Sequence, residues 1–259
     1  MTTIDATGAP LADRSIASLG HRLGAVLRIH LAGPFLTLIQ PWIVTAVIFA
    51  VNLAVYGMIA YAAGGVSAID DDAFKHGGSV SWVFVFMIVV AVQAMHFTFR
   101  FALGLSIDRR DYYLGTIGFF GLLSLVYSLG LTLLVVLERL TGGWWLNAAF
   151  FAPIPLDSAP LTTVAYVFVV GFLLAFGAGA FSASVWVRWG ARGLYWYFGI
   201  LAFGVVAFLW SVTAAEAWPD VWSFLADTSL AGLATWALPV VALCVAGGWA
   251  LLRRAPLRS

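Results

Sequence analysis

Charge is scarce in this chain of 259 residues: 10% are Asp, Glu, Lys or Arg, against roughly 25% in an ordinary soluble domain. Lysine is nearly missing, with Lys75 alone. No glycine-rich loop ends in lysine, so the chain carries no phosphate-binding motif and cannot be its own P-loop ATPase. The lone cysteine, Cys244, can form no internal disulfide and says nothing of redox compartment. His21, His30 and His76 fall outside the long apolar runs and only His96 falls inside one, which leaves no histidine pair for a haem held across a membrane. No HExxH pattern occurs. The apolar runs contain no Asp or Glu away from their ends, whereas a proton-coupled carrier needs a group inside the membrane that takes and releases protons. No internal repeat is visible, which argues against inverted-repeat carriers. We expect no catalytic residue, no resident cofactor, no metal site and no nucleic-acid partner.

What remains is apolar: 63% of the residues are hydrophobic. They gather in six runs, at residues 41 to 63, 80 to 103, 115 to 137, 163 to 187, 193 to 215 and 231 to 252. Each run has the ~20 residues that a helix rising about 1.5 Å per residue needs to cross roughly 30 Å of hydrocarbon. The expected fold is all-α: a polytopic membrane protein of six transmembrane helices. Eleven of the 13 Lys and Arg residues lie in the N-terminal segment, the second and fourth loops and the C-terminal tail, and only Lys75 and Arg139 lie on the other side. Short basic loops stay cytoplasmic, so both termini are expected inside. Asp70, Asp71, Asp72, Glu138, Asp157, Glu216, Asp220 and Asp227 mark the opposite face. Arginine outnumbers lysine twelve to one and alanine, glycine and tryptophan are common, which points to a GC-rich bacterial genome, so the expected location is a bacterial plasma membrane.

Along the chain, residues 1 to 10 are small and polar and are expected to be disordered. Residues 11 to 34 place Ile16, Leu19, Leu23, Val26 and Leu27 at helical spacing, with Arg14, His21 and Arg28 elsewhere on the wheel. This predicts an amphipathic helix in the cytoplasmic interface, ended by Gly33 and Pro34 before a membrane domain over 35 to 255. Residues 64 to 79 read as a flexible solvated turn, whose successive carboxylates rarely converge on one metal. Residues 138 to 162 combine Trp144, Trp145, Phe150 and Phe151 with three prolines and are expected to lie folded on the outer membrane surface. Residues 216 to 230 suit a short helix dipping into the outer leaflet or an interfacial turn. The small-residue stretch Gly177 to Ser184 suits close helix packing, since no histidine is placed to activate Ser182 or Ser184.

The most specific stretch runs from Gly104 to Thr116, reading GLSIDRRDYYLGT. Its charges, Asp108 to Asp111, stand between Gly104 and Gly115 and precede two tyrosines. Glycines at both ends suit breaks around a short helix between the second and third spans, with Ile107 and Tyr112 packing inward so that the charges are presented to the cytoplasm. An ordinary basic loop with interfacial tyrosines reads the same way.

This loop, between the second and third of six spans and preceded by an amphipathic helix, resembles the permease subunits of ATP-binding-cassette exporters of the type-2 family. Many bacterial members have a related Gly, Ser, Arg, Arg, Asp, aromatic, Gly pattern here, although in this chain Ile107 and Asp108 separate the serine from the arginine pair. The resemblance implies a coupling helix docking on an ATPase subunit, with Ser106, Asp108, Arg109, Arg110, Asp111 and Tyr112 in contact and residues 11 to 34 as the connecting helix. It further implies a second permease copy, identical or related, and ATP with Mg bound by the partner ATPase subunits. Transport would be by alternating access along spans one, two and five. Asn52, Gln93 and His96 are the polar candidates for the path, and each can instead be an interhelical hydrogen-bonding residue. An aromatic-rich, charge-poor path suits an amphipathic or hydrophobic cargo. The alternative is a non-transporting six-span scaffold or sensor that docks a cytoplasmic partner through the same loop.

Overall fold

The computed structural model describes residues 19–31, 33, 35–77, 80–105 and 107–255, of which the side chains of 19–23, 36 and 100 are not described. The N-terminal segment 1–10, residues 11–18 of the expected amphipathic helix, and Ser106 lie outside the described residues. Among the described residues the chain forms eight α-helices and no strand: α1 (Leu19–Leu31), α2 (Gln40–Ala62), α3 (Ser81–Gly104), α4 (Arg109–Leu140), α5 (Leu161–Trp189), α6 (Ala191–Ala214), α7 (Trp218–Asp227) and α8 (Leu230–Leu252). Six are long and apolar enough to cross a membrane, namely α2 with the turn before it, α3, α4, α5, α6 and α8. They match the six apolar runs. The largest change is α4, whose 32 residues span about 48 Å, well beyond the roughly 30 Å of hydrocarbon.

The hub is α5, which packs against α3, α4, α6 and α8. Its small residues explain why. A Cβ on Gly179 would fall 2.7 Å from the Ile88 carbonyl oxygen and 2.5 Å from Ala91 Cβ, so only glycine lets α3 approach there. Two turns earlier, Gly171 receives the ring of Phe84. Gly177 faces Cys244 and Val241 of α8 at ordinary contact distance. The stretch Gly177 to Ser184 is a packing surface, and Ser182 and Ser184 donate to carbonyls of their own helix. Where helices meet α4, large rings fill the space instead: Phe120 stacks on Phe176, and Tyr127 packs on Phe172. Van der Waals fit of this kind holds helices together where burial from water cannot.

The first helix has a partner that its sequence did not announce. Val26 is buried and sits where a Cβ on Gly115 of α4 would be, 2.7 Å away. One turn further, His30 stacks on Phe119, itself one turn beyond Gly115. Thus α1 and α4 run side by side in the same direction at this contact. After Gly33 the chain resumes as a π-helical turn, Phe35–Ile39. The Tyr127 hydroxyl donates to the Thr37 carbonyl in that turn at 2.7 Å. Trp42 then stacks on Tyr127 beside Gly130.

At the acidic end the two loops are packed on each other. Residues 64 to 77 are not the free, solvated turn that their glycines and aspartates suggest: Phe74 is buried against Tyr56. The Phe74 and Lys75 carbonyls accept from the Ala149 and Ile154 N–H groups. Asp70, Asp71 and Asp72 remain exposed. The aromatic loop likewise turns inward, with Phe150 and Phe151 buried against Phe49 of α2. Its organiser is Glu138, only 4% exposed. Its carboxylate accepts from Trp144 Nε1 (2.9 Å) and from the N–H groups of Phe150 (2.8 Å), Phe151 (3.0 Å) and Ala152 (3.1 Å). Arg139 Nη2 donates to the Leu156 and Ala159 carbonyls. Two residues that marked only the outer face in the sequence therefore hold a loop whose prolines and left-handed Trp144, Trp145 and Asn147 exclude a regular helix.

Between α6 and α8 the structure has the helical alternative, α7, an amphipathic segment with Pro219 in its first turn and Trp222, Phe224 and Leu225 exposed. Helix α6 packs mainly on α5 and is otherwise bare, with Tyr195, Trp196, Phe203 and Trp210 all at least 75% exposed.

Candidate functional site

The segment singled out by its sequence begins a long helix. Helix α3 ends at Gly104 and α4 starts at Arg109, with Asp108 as its extended N-cap residue. Among the described residues no separate short helix stands between Gly104 and Gly115. Gly115 interrupts nothing; it lies inside α4 because Val26 occupies the space of its missing side chain. The turn is tied to the preceding helix by Ile107 N–H donating to the Ala102 carbonyl at 3.1 Å.

The six residues assigned to the loop divide by position. Asp108 and Arg110 are exposed. Arg109 is half-buried, and its Nη1 donates to the Ala255 carbonyl at 2.8 Å and to the Arg253 carbonyl at 3.3 Å. It thus satisfies carbonyls just past the end of α8, which have no partner within the helix. Asp111 is 5% exposed and Tyr112 is fully buried. The Tyr112 hydroxyl donates to the Met95 carbonyl (3.1 Å) and lies 2.8 Å from Thr98 Oγ1, which fastens α4 to α3. Ser106 lies outside the described residues. The expectation that Tyr112 packs inward holds; the picture of four charges facing outward does not, because Asp111 is buried and Arg109 is engaged.

Three residues not assigned to the site complete the arrangement. Tyr113 donates to the Val245 carbonyl at 2.6 Å and lies against Gly248, fastening α4 to α8. His30 Nε2 lies 3.1 Å from Thr116 Oγ1, and Thr116 donates to the Tyr112 carbonyl, so α1 joins the same group. Burial holds the His30 imidazole well below its ordinary range, at about 4, because an imidazolium there would lose its water. The ring is neutral at pH 7. The ends of α1, α3, α4 and α8 thus form one connected block beneath Asp108 and Arg110. The doubled tyrosine was the visible signal for part of it; the role of His30 had none, since α1 meets α4 across 86 residues of sequence.

Of the three path candidates, Asn52 lies on α2 and Gln93 and His96 lie on α3. Asn52 donates to the Ile48 carbonyl of its own helix at 2.9 Å. His96 packs edge-on against Trp186 of α5, and Gln93 is half-buried on α3. Two apolar cavities open beside α5 and α6, of about 550 and 650 Å³, and none of the three candidates lines either. Among the described residues no three His, Cys, Asp or Glu side chains are grouped to hold a metal ion. Compared with models of known protein families, with curated proteins and with solved structures, the chain matches none.

Proposed function

We propose that this protein is the membrane-spanning permease subunit of an ATP-driven exporter of the type-2 ATP-binding-cassette class. It would sit with its basic end in the cytoplasm and work with a separate ATPase subunit and a second permease copy. The observation that carries this reading is the block at the basic end: Asp108 and Arg110 are presented on a turn whose neighbours tie α1, α3, α4 and α8 together. A force applied at such a turn reaches four helices at once, which is what coupling to a nucleotide-driven partner requires. Within this reading Asp108 and Arg110 contact the ATPase, and Arg109, Asp111 and Tyr112 hold the turn in place. The cargo is amphipathic or hydrophobic, in keeping with the apolar walls of the cavities beside α5 and α6. The scaffold or sensor reading keeps one observation in its favour, that Asn52, Gln93 and His96 line neither of the apolar cavities beside α5 and α6.

The test is purification of the full chain from native membranes in mild detergent, with identification of any P-loop ATPase that accompanies it and assay of ATP hydrolysis in lipid. Joint replacement of Asp108 and Arg110 by alanine is expected to lower ATPase retention about tenfold with membrane insertion unchanged. Arg188→Ala, which also removes charge at the basic end, is expected to retain the ATPase. If no ATPase accompanies the native protein, the exporter reading falls and the scaffold reading stands; if the two variants retain the ATPase equally, the turn is an ordinary topogenic loop with no ATPase contact.

A further inference from the structure

Helix α6 is held to α5 at its first turn and then leaves it. Gly193 makes the approach, since a Cβ there would fall 2.5 Å from Trp189 Cβ and 3.4 Å from the Val185 carbonyl oxygen. Further along, Gly199 and Gly204 have nothing within 4 Å of where a Cβ would be. The divergence leaves a groove in two parts that meet at Phe181 and Tyr197, whose rings pack edge to face with centroids 5.3 Å apart. The inner part, about 550 Å³, runs between α3, α5, α6 and α8 over Phe84, Ile88, Leu174, Ala178 and Leu201. The outer part, about 650 Å³, runs between α5 and α6 to the turn between them, over Val185, Trp189, Trp196 and Ile200. Each volume is within the roughly 300 to 1,000 Å³ usual for small-molecule sites.

Of the described residues lining either part, Arg192 alone is charged. It is the second residue of α6 and exposed, at the open end of the groove. Trp189 and Trp196 flank it, the residue type that favours the headgroup layer. The Arg188 guanidinium lies 4.8 Å from the centre of the Trp189 ring, which helps to hold that indole in place. An apolar trough with a single cation at its open end has the polarity of an anionic amphiphile. A neutral chain would leave the guanidinium without a counter-charge. A second copy of this chain packed through this same face would bring its own Arg192 to the same depth and supply no counter-charge.

We propose that this groove binds one anionic phospholipid, with acyl chain along α5 and α6 past Phe181 and Tyr197 and headgroup phosphate on Arg192. The site does not depend on the ATPase reading, because it lies on other residues and would serve a scaffold equally. The experiment is native mass spectrometry of the full chain after exchange into phosphatidylglycerol or phosphatidylcholine and gradual removal of lipid. One phosphatidylglycerol per chain is expected to survive, in preference to phosphatidylcholine by about fivefold. Arg192→Gln should abolish the preference and Arg254→Gln should keep it. Ala178→Phe should reduce retention of both lipids by filling the inner part. Should that variant fail to fold, Leu201→Trp narrows the same space from the exposed side of α6. Equal retention of the two lipids by the native chain, an unchanged preference in Arg192→Gln, or unchanged retention in the filled variant would overturn the proposal. So would efficient disulfide crosslinking between chains through Ile200→Cys, which would put a second copy in the groove.

Discussion

Single residues decide how the basic end holds together, and His30 is the one whose contribution depends on pH. Released from α4, its imidazole would titrate near 6.5; in place it titrates at about 4. Between these values the docked helix binds fewer protons than the released one, so docking strengthens as pH rises through this window and weakens as pH falls. At pH 4 the loss is on the order of 3 kcal/mol, from the spacing of the two values. Limited proteolysis or hydrogen exchange of α1 in detergent is expected to show increased opening between pH 6.5 and 4. His30→Leu should flatten that response while keeping the helix docked near neutral pH. An identical pH response in the leucine variant would remove His30 as its cause. Glu138 shows the same dependence on surroundings from the other direction. A carboxylate with four N–H donors is a structural centre, and nothing in its immediate sequence distinguishes it from the exposed Asp70.

Among the elements, α5 is held by the absence of side chains. The contrast to measure is between two helix-interior glycines with different surroundings, Gly179 of α5 and Gly118 of α4. Gly179→Ala puts a methyl group against the Ile88 carbonyl and Ala91, and is expected to cost about 1 to 3 kcal/mol through displacement of α3. Gly118→Ala meets nothing within 4 Å and should be neutral or stabilising by up to about 1 kcal/mol, the difference in helix propensity. Thermal unfolding of the two variants in the same detergent gives the comparison. Equal shifts would mean that the α3 contact is not limiting. The small-residue run was legible as a packing surface because few other uses exist for it in an apolar helix. Which neighbour each glycine admits was not legible, since α3 and α8 approach opposite sides of α5.

For the whole molecule, the eleven-to-two distribution of basic residues sets an expected orientation with both termini in the cytoplasm. In a Cys244→Ala background, cysteine placed at Asp71 or Asp157 should react with an impermeant thiol reagent added to intact cells, and cysteine at Asp108 or Arg254 should not. Labelling of the Asp108 position from outside would reverse the orientation and with it the proposed function. The sequence by itself determined the number of spanning helices and their approximate extents, because hydrocarbon thickness and helical rise leave little freedom once charge is this sparse. It also determined the sign of charge at each end. Tertiary structure alone decided what the distinctive residues do. Arg109 caps α8 across 146 residues of chain, Tyr113 reaches Val245 across 132, and Phe74 meets Ala149 between two loops that read as independent. Hydrophobic length is a local property, set by neighbours along the chain. The partner of a guanidinium, a hydroxyl or a missing Cβ is set by neighbours in space, and in a helical bundle those lie tens of residues away.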